Sequence, residues 1–280
     1  MKEISAKKIV EEVAKLCVDA NIFIDEKLLC SFKKFKELEE SELGKIVFSE
    51  IIENAEIAKE DRKPLCQDTG LTVVFVEIGQ NVCIVDGSLT EAINEGVRKG
   101  YSEGYLRKSV LDSPLSRKNT GDNTPAIIHY DIVSGDKLKI TVVPKGGGSE
   151  NMSALKMLKP SDSWEGIKKF VKETVEVAGS NPCPPIIVGV GIGGNFEKVA
   201  LLAKKALLRE IGEHNPDPNI AKLENELLEV VNSTGIGPQG YGGRITAMQV
   251  NIEVYPCHIA SLPVAVNINC HSTRHKEIIL

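Results

Sequence analysis

The chain has 280 residues, 42% hydrophobic and 26% charged, a balance that suits a globular protein and excludes collagen-like, disordered and disulfide-scaffold classes. Its 34 basic and 39 acidic residues leave a formal charge of −5 and a pI near 5.7, which argues against a basic surface tracking nucleic acid. The length fits two average domains or one large mixed unit.

The first sixty residues carry apolar side chains at helical spacing, at Ile4, Ile9, Val13 and Leu16 and again at Ile46, Val47, Ile51, Ile52 and Ile57. Residues 1–17 read as one amphipathic helix, without the unbroken apolar segment and small-residue cleavage site of a signal peptide. After Pro64 the pattern turns β-like. A strand is expected over 71–76, a helix over 90–107, and strands over 126–133 and 137–143 that Ser134-Gly135-Asp136 would join as a hairpin. A helix over 163–177 and a short buried strand over 186–190 follow. Helices over 196–211 and 219–231 and strands over 245–254 and 262–268 complete the series. Two uncharged stretches, 177–196 and 254–273, contain prolines and asparagines that hydrocarbon rejects, so neither is expected to span a membrane.

Twelve of the 24 glycines fall in three short stretches, at 146–148, 189–194 and 235–243, which the composition reads as loops. The second satisfies G-x-G-x-x-G between an apolar run and a helix, the local setting for a pyrophosphate, so a nicotinamide-dependent dehydrogenase is a rival reading. Glu210, the acidic residue nearest the required spacing, falls at the end of the expected helix, and a second helix follows where a parallel strand is needed.

Seven cysteines, an odd number in a chain of this size, fit a reducing cytoplasm better than a secreted disulfide framework. Cys17, Cys30 and Cys83 lie among apolar residues, where a buried thiol is inert. Cys66, Cys183, Cys257 and Cys270 lie among turn formers and polar groups, where a thiol can reach a metal. Zinc could draw nitrogen ligands from His258, His271 or His275, but the tight paired spacings of closed zinc sites are absent. Thiolates from separate loops suit an iron–sulfur cluster, and three of them leave one iron open.

Five ordered segments carry a more specific signal. Cys66-Gln67-Asp68-Thr69-Gly70, Asn119-Thr120-Gly121-Asp122-Asn123-Thr124-Pro125, Lys145-Gly146-Gly147-Gly148-Ser149-Glu150-Asn151, Cys183-Pro184-Pro185, and the 235–243 glycines followed by Cys270-His271-Ser272-Thr273-Arg274 resemble the class I iron–sulfur fumarases and L-tartrate dehydratases. The resemblance runs from about Ser41 to the end and is to the α subunit of the two-subunit form. It implies an α+β (mixed α/β) fold over 1–280, with a helical part over 1–62 packed on a β-rich, glycine-loop-containing catalytic part over 63–280. It also implies a [4Fe–4S] cluster held by Cys66, Cys183 and Cys270, with Cys257 left out. Substrate-binding residues fall on Gln67, Arg107 at a helix end and Gly148 in a glycine turn, and acid–base groups on Asp68 and His258. On this resemblance the 189–194 glycines form a turn near Cys183 unconnected with a dinucleotide.

The implied reaction is reversible hydration of fumarate to malate, with dehydration of tartrate as the alternative and a non-catalytic cluster-bearing sensor as a reading from another class. A β subunit and an α–α dimer within an α2β2 assembly are the implied partners. Two departures, a short His- and Lys-rich tail and Leu262 where a cysteine often stands, touch no implied ligand. Asp68 could instead close an Asx turn before Gly70, and His258 could be a satisfied core histidine.

Overall fold

A computed structural model describes all residues, Met1–Leu280. The fold is α+β, and the chain divides into two compact units: Met1–Ile24, Ala55–Gly147 and Arg274–Leu280 form the first, Asp25–Asn54 and Gly148–Thr273 the second.

The first unit opens with a strand, β1 (Lys2–Ser5), where the sequence reads as helix; β1 pairs in parallel with β3 (Val82–Val85). Helix α1 (Ala6–Ile22) then starts at Ser5, whose side chain accepts from the Lys7 amide, and buries Ile9, Val13, Leu16 and Cys17. Those side chains share a core with Ile93, Val97 and Tyr101 of α4 (Leu89–Glu103). One face of a four-stranded sheet completes that core with Val74, Val76, Leu138, Ile140 and Val142.

The sheet corrects the expected hairpin. Its order is β10 (Lys276–Ile279), β5 (Leu138–Lys145), β2 (Leu71–Gly79), β4 (Ile127–Val133), so β2 lies between the two strands expected to pair. β4 runs parallel to β2, and β5 antiparallel. The physical reason lies in β2, whose residues 72–76 are buried on both faces, as suits a central strand. Two inter-strand spacings total about 10 Å, a gap that the link from Val133 to Leu138 can bridge. Bonds from Gly79 N to Lys137 O, Gln80 N to Val133 O and Asn81 N to Gly135 O hold that link across the end of β2.

Helix α2 (Glu26–Leu38) lies in the second unit, while α3 (Glu42–Asp61) begins there and ends in the first. The second unit's sheet has the order β6 (Ala154–Leu158), β9 (Leu262–Asn269), β7 (Ile186–Gly193), β8 (Ala247–Tyr255). On one face Val188, Val190, Ile252 and Val266 pack with Val171 and Val175 of α6 (Ser163–Ala178) and Leu227 and Val231 of α8 (Pro218–Asn232). On the other, Val199 and Ala203 of α7 (Phe196–Ala206) pack against Ala265.

The strand β7 overturns the turn expected at 189–194, because Gly189, Gly191 and Gly193 are all within it. A Cβ at Gly189 would stand 2.1 Å from the Ala203 carbonyl oxygen, and one at Gly191 2.2 Å from that of Val199. The alternate glycines let α7 lie directly on the strand backbone. β7 and β8 are parallel neighbours, so the parallel strand that the sequence seemed to lack is present beyond α8. The glycines serve helix packing instead of phosphate approach. The Gly194 amide is already directed at the Tyr255 and Pro256 carbonyls, and Asn195 caps α7 through the Lys198 amide.

Candidate active site

In the first unit the segment between α3 and β2 carries Cys66, Gln67 and Asp68, the first two exposed. Having neither helix nor strand bonds of its own, this segment is held by its surroundings. The Leu65 amide donates to the Asn21 carbonyl at 2.8 Å. The Tyr101 hydroxyl donates to the Thr69 and Gly70 carbonyls at 2.6 and 3.2 Å, Asn123 Nδ2 to the Gly70 carbonyl at 3.2 Å, and Arg274 Nη2 to that of Asp68. Three consecutive carbonyls are thus satisfied by side chains from α4, from the Asn119–Pro125 motif and from the C-terminal segment. The Asp68 amide in turn donates to Cys66 Sγ at 3.4 Å.

Asp68 does close the Asx turn: its Oδ1 accepts the Gly70 amide at 3.0 Å, and its Oδ2 accepts the Gly147 amide at 2.7 Å. Each oxygen keeps a further lone pair. The carboxylate is therefore oriented without being used up.

Arg107 sits in a loop and not at a helix end, because α4 stops at Glu103 with Gly104 as its cap. Its carbonyl accepts from Thr69 Oγ1 at 3.0 Å, which brings the loop beside Asp68, and its side chain is exposed. The Asn119–Pro125 motif fastens the same loop: Asn119 Nδ2 donates to the Lys108 carbonyl, and Asn123 Oδ1 accepts the Ser109 amide. Arg98 pairs with Asp122 at 2.9 Å. Burial works to raise the Asp122 pKa, but bonds from the Thr124 amide and hydroxyl, Arg98 and Thr120 prevail and lower it to about 2. The motif's residues build the support of Arg107.

In the second unit, Cys183 is exposed, with a left-handed backbone (φ 54°) between Pro182 and Pro184. Its carbonyl accepts the His271 amide at 3.3 Å, and His271 Nδ1 lies 3.0 Å from the same oxygen, so the turns bearing Cys183 and Cys270 are tied together. The glycine stretch 235–243 grips this pair through Gln239, whose amide and Nε2 each donate to the Pro184 carbonyl at 2.8 Å. Glu39, only 2% exposed, anchors the stretch by accepting the amides of Glu40, Ser41, Arg244 and Ile245. Burial opposes its ionised form, yet those four amides hold its pKa below the usual range.

Gly148 stands in a one-turn helix, α5 (Gly147–Glu150), where the sequence reads as a loop. A Cβ on it would meet the Asn181 carbonyl at 3.4 Å, which sets it beside the Cys183 turn. His258 is elsewhere. It lies in the exposed turn between β8 and β9, with Nδ1 accepting the Ala260 amide at 3.2 Å, so it is not a core histidine. Cys270 follows the other end of β9, and an eight-residue strand separates the two by roughly 25 Å.

None of the seven cysteines forms a disulfide. Burial pushes the Cys17 thiol up to about 12, which unfits it as a ligand, whereas Cys66 and Cys183 are exposed and Cys270 is half-buried. No three His, Cys, Asp or Glu side chains stand grouped to hold a single metal ion. Thiols on braced loops are, by the chemistry of their donors, of the kind that hold polynuclear iron–sulfur groups. No helix is long and apolar enough to cross a membrane. Sequence reasoning missed Tyr101, Asn21, Glu39 and Gln239, and quoted Asn123 and Arg274 only within motifs; all six brace the site loops.

The pattern of the family Fumarate hydratase (Fumerase) matches residues 10–279. A Methanocaldococcus jannaschii protein named "Putative L(+)-tartrate dehydratase subunit alpha" is 49% identical over 273 residues, covering 95% of each chain. An Escherichia coli O157:H7 protein named "L(+)-tartrate dehydratase subunit alpha" is 33% identical, covering 100% of this chain and 93% of its own. One of the same name from Escherichia coli UTI89 is 34% identical, with 98% and 91% covered.

Proposed function

The chain belongs to the fumarate hydratase (Fumerase) family and is a hydro-lyase, and from that premise we propose that it is the α subunit of a two-subunit enzyme of the reducing cytoplasm. It interconverts fumarate and malate with a [4Fe–4S] cluster held by Cys66, Cys183 and Cys270. The observation that carries this reading is the bracing of the Cys66–Gly70 segment, whose Asp68, Thr69 and Gly70 carbonyls all accept side-chain donors while its thiol and Gln67 stay exposed. A second reading, dehydration of tartrate, is favoured by the names of the relatives.

When bound, the cluster supplies a Lewis acid at the iron that lacks a protein ligand. The chain's residues do the rest. Arg107 grips one carboxylate of the substrate with two parallel N–H donors. Gln67 offers its side-chain amide, and Gly148 its main-chain amide, which no side chain shields. Asp68, oriented by the Gly70 and Gly147 amides, accepts a proton from the attacking water on a remaining lone pair in hydration and returns it to the departing hydroxyl, which leaves as water, in dehydration.

His258 lies one strand length from Cys270, so in this reading it serves the site of a second copy, in keeping with an α–α dimer inside an α2β2 assembly. With Nδ1 accepting the Ala260 amide, its neutral ring carries the proton on Nε2 and donates there. The test is to purify the complex without air and profile it against fumarate, malate and tartrate. Turnover of fumarate and malate supports the reading, turnover of tartrate alone selects the second, and turnover of none refutes both.

A further inference from the structure

Arg274 is 7% exposed, its Nη1 is buried with no hydrogen-bond partner, and its Nη2 donates to a neutral acceptor, the Asp68 carbonyl. A guanidinium that deep ordinarily meets a carboxylate, because an unpaired buried charge is costly. A second orphan lies behind the same segment: Asn21 Oδ1 is buried without a partner, on the residue whose carbonyl holds the Leu65 amide. Native structures leave few such groups, and these two flank one stretch of chain, 65–68.

The carbonyls of the next two residues, Thr69 and Gly70, are served by neutral donors, Tyr101 and Asn123. A neutral side chain could serve Asp68 as well, so the charge and planar fork of arginine exceed what filling space requires. Arg274 and the Gly70 and Gly147 amides restrain Asp68 at different atoms, the carbonyl and the two carboxylate oxygens.

Resting on the hydro-lyase reading, we propose that Arg274 is a positioning residue that fixes the main chain of Asp68 and thereby the direction of its carboxylate toward substrate. It touches neither substrate nor cluster, and it acts through Asp68.

The test compares Arg274→Met and Arg274→Lys with the unaltered protein, by amide hydrogen exchange on the full chain and by kinetics on the cluster-loaded complex. In Arg274→Met, exchange at Asp68 and Gly70 rises about tenfold or more while the β7–β9 sheet keeps its protection. Iron content is unchanged, kcat falls by about 10–100-fold and KM moves little, as expected of a misplaced acid–base group. Arg274→Lys keeps a charged donor and recovers part of both effects. Unaltered exchange at Asp68 and Gly70, or a loss of protection spread evenly over the first unit, overturns the proposal. Should Arg274→Met fail to fold, Arg274→Lys decides: intermediate exchange supports the role and unaltered exchange overturns it. A complex that turns over no dicarboxylate refutes the hydro-lyase reading, while the exchange data still decide whether Arg274 fixes Asp68.

Discussion

At the scale of single residues, burial removes Cys17 alone from the seven thiols, since Cys30 and Cys257 are exposed like Cys66 and Cys183, and Cys83 is half-buried like Cys270. Cys66, Cys183 and Cys270 lie on loops whose carbonyls and amides are bonded from elsewhere, whereas Cys17 is sealed in the first unit's core. Changing Cys66, Cys183 or Cys270 to Ser is expected to abolish the brown absorption and the iron and sulfide of the anaerobically reconstituted protein. The same change at Cys30, Cys83 or Cys257 leaves them intact; a full cluster in Cys270→Ser contradicts the ligand set. Asp122 fastens the Asn119–Pro125 motif through Arg98 and Thr124 by bonds that favour its ionised form. Its folded pKa of about 2 lies below the unfolded value near ~3.9. Such a depressed carboxyl contributes stability above the unfolded value and loses it as pH falls from about 4 toward 2. In urea titrations Asp122→Asn should lower stability at pH 6 and approach the unaltered protein at pH 2, and a difference that does not shrink at low pH would count against the ionised pair. The loop placement of Cys66, Cys183, Cys257, Cys270 and Asp68 was legible from the turn formers around them, and the resemblance alone set Cys257 aside. Tyr101, Asn21 and Glu39 were not, because a tyrosine or glutamate on a helix pattern looks the same whether or not its tip holds a distant loop.

At the scale of elements, periodicity located the long helices and the apolar strands, while pairing depended on facts that no local pattern carries. The link from 134 to 137 looks like a hairpin turn, yet it crosses the end of β2, since the most apolar strand takes the centre. Short strands such as β6 and β10, of five and four residues, present too few alternations to register. The run at 189–194 misled for a related reason, because a glycine needed for a turn and one needed under a helix are the same letter. Gly189→Ala drives a methyl into the Ala203 carbonyl at 2.1 Å, and thermal unfolding should show a loss of about 1–3 kcal/mol or more. Gly212→Ala, where a Cβ meets nothing within 4 Å but φ is +87°, reports backbone strain without that clash. A loss at Gly189 no larger than at Gly212 would refute the packing role.

At the scale of the whole molecule, the enzyme reading asks more of the site than this chain supplies. A dicarboxylate has two anionic ends and a carbon-bound proton, and the proposed residues offer one arginine, amides and Asp68. His258 bears on how copies combine. Mixed dimers of Asp68→Asn and His258→Ala chains, each inactive alone, should regain activity if His258 works in the second copy's site, because one site of the pair is then whole. No regain places His258 within its own chain's site, and a His258→Ala chain that is active alone places it outside catalysis.

The β subunit is expected to bring the missing cations and the base for the carbon proton, and a positioned acid–base group is worth about 10²–10⁴ in rate. The most direct measurement is the rate of fumarate hydration by the cluster-loaded chain alone, and then with the β subunit added. The account predicts a rise of at least about a hundredfold on addition; a chain that hydrates fumarate alone at nearly the rate of the mixture would contradict it.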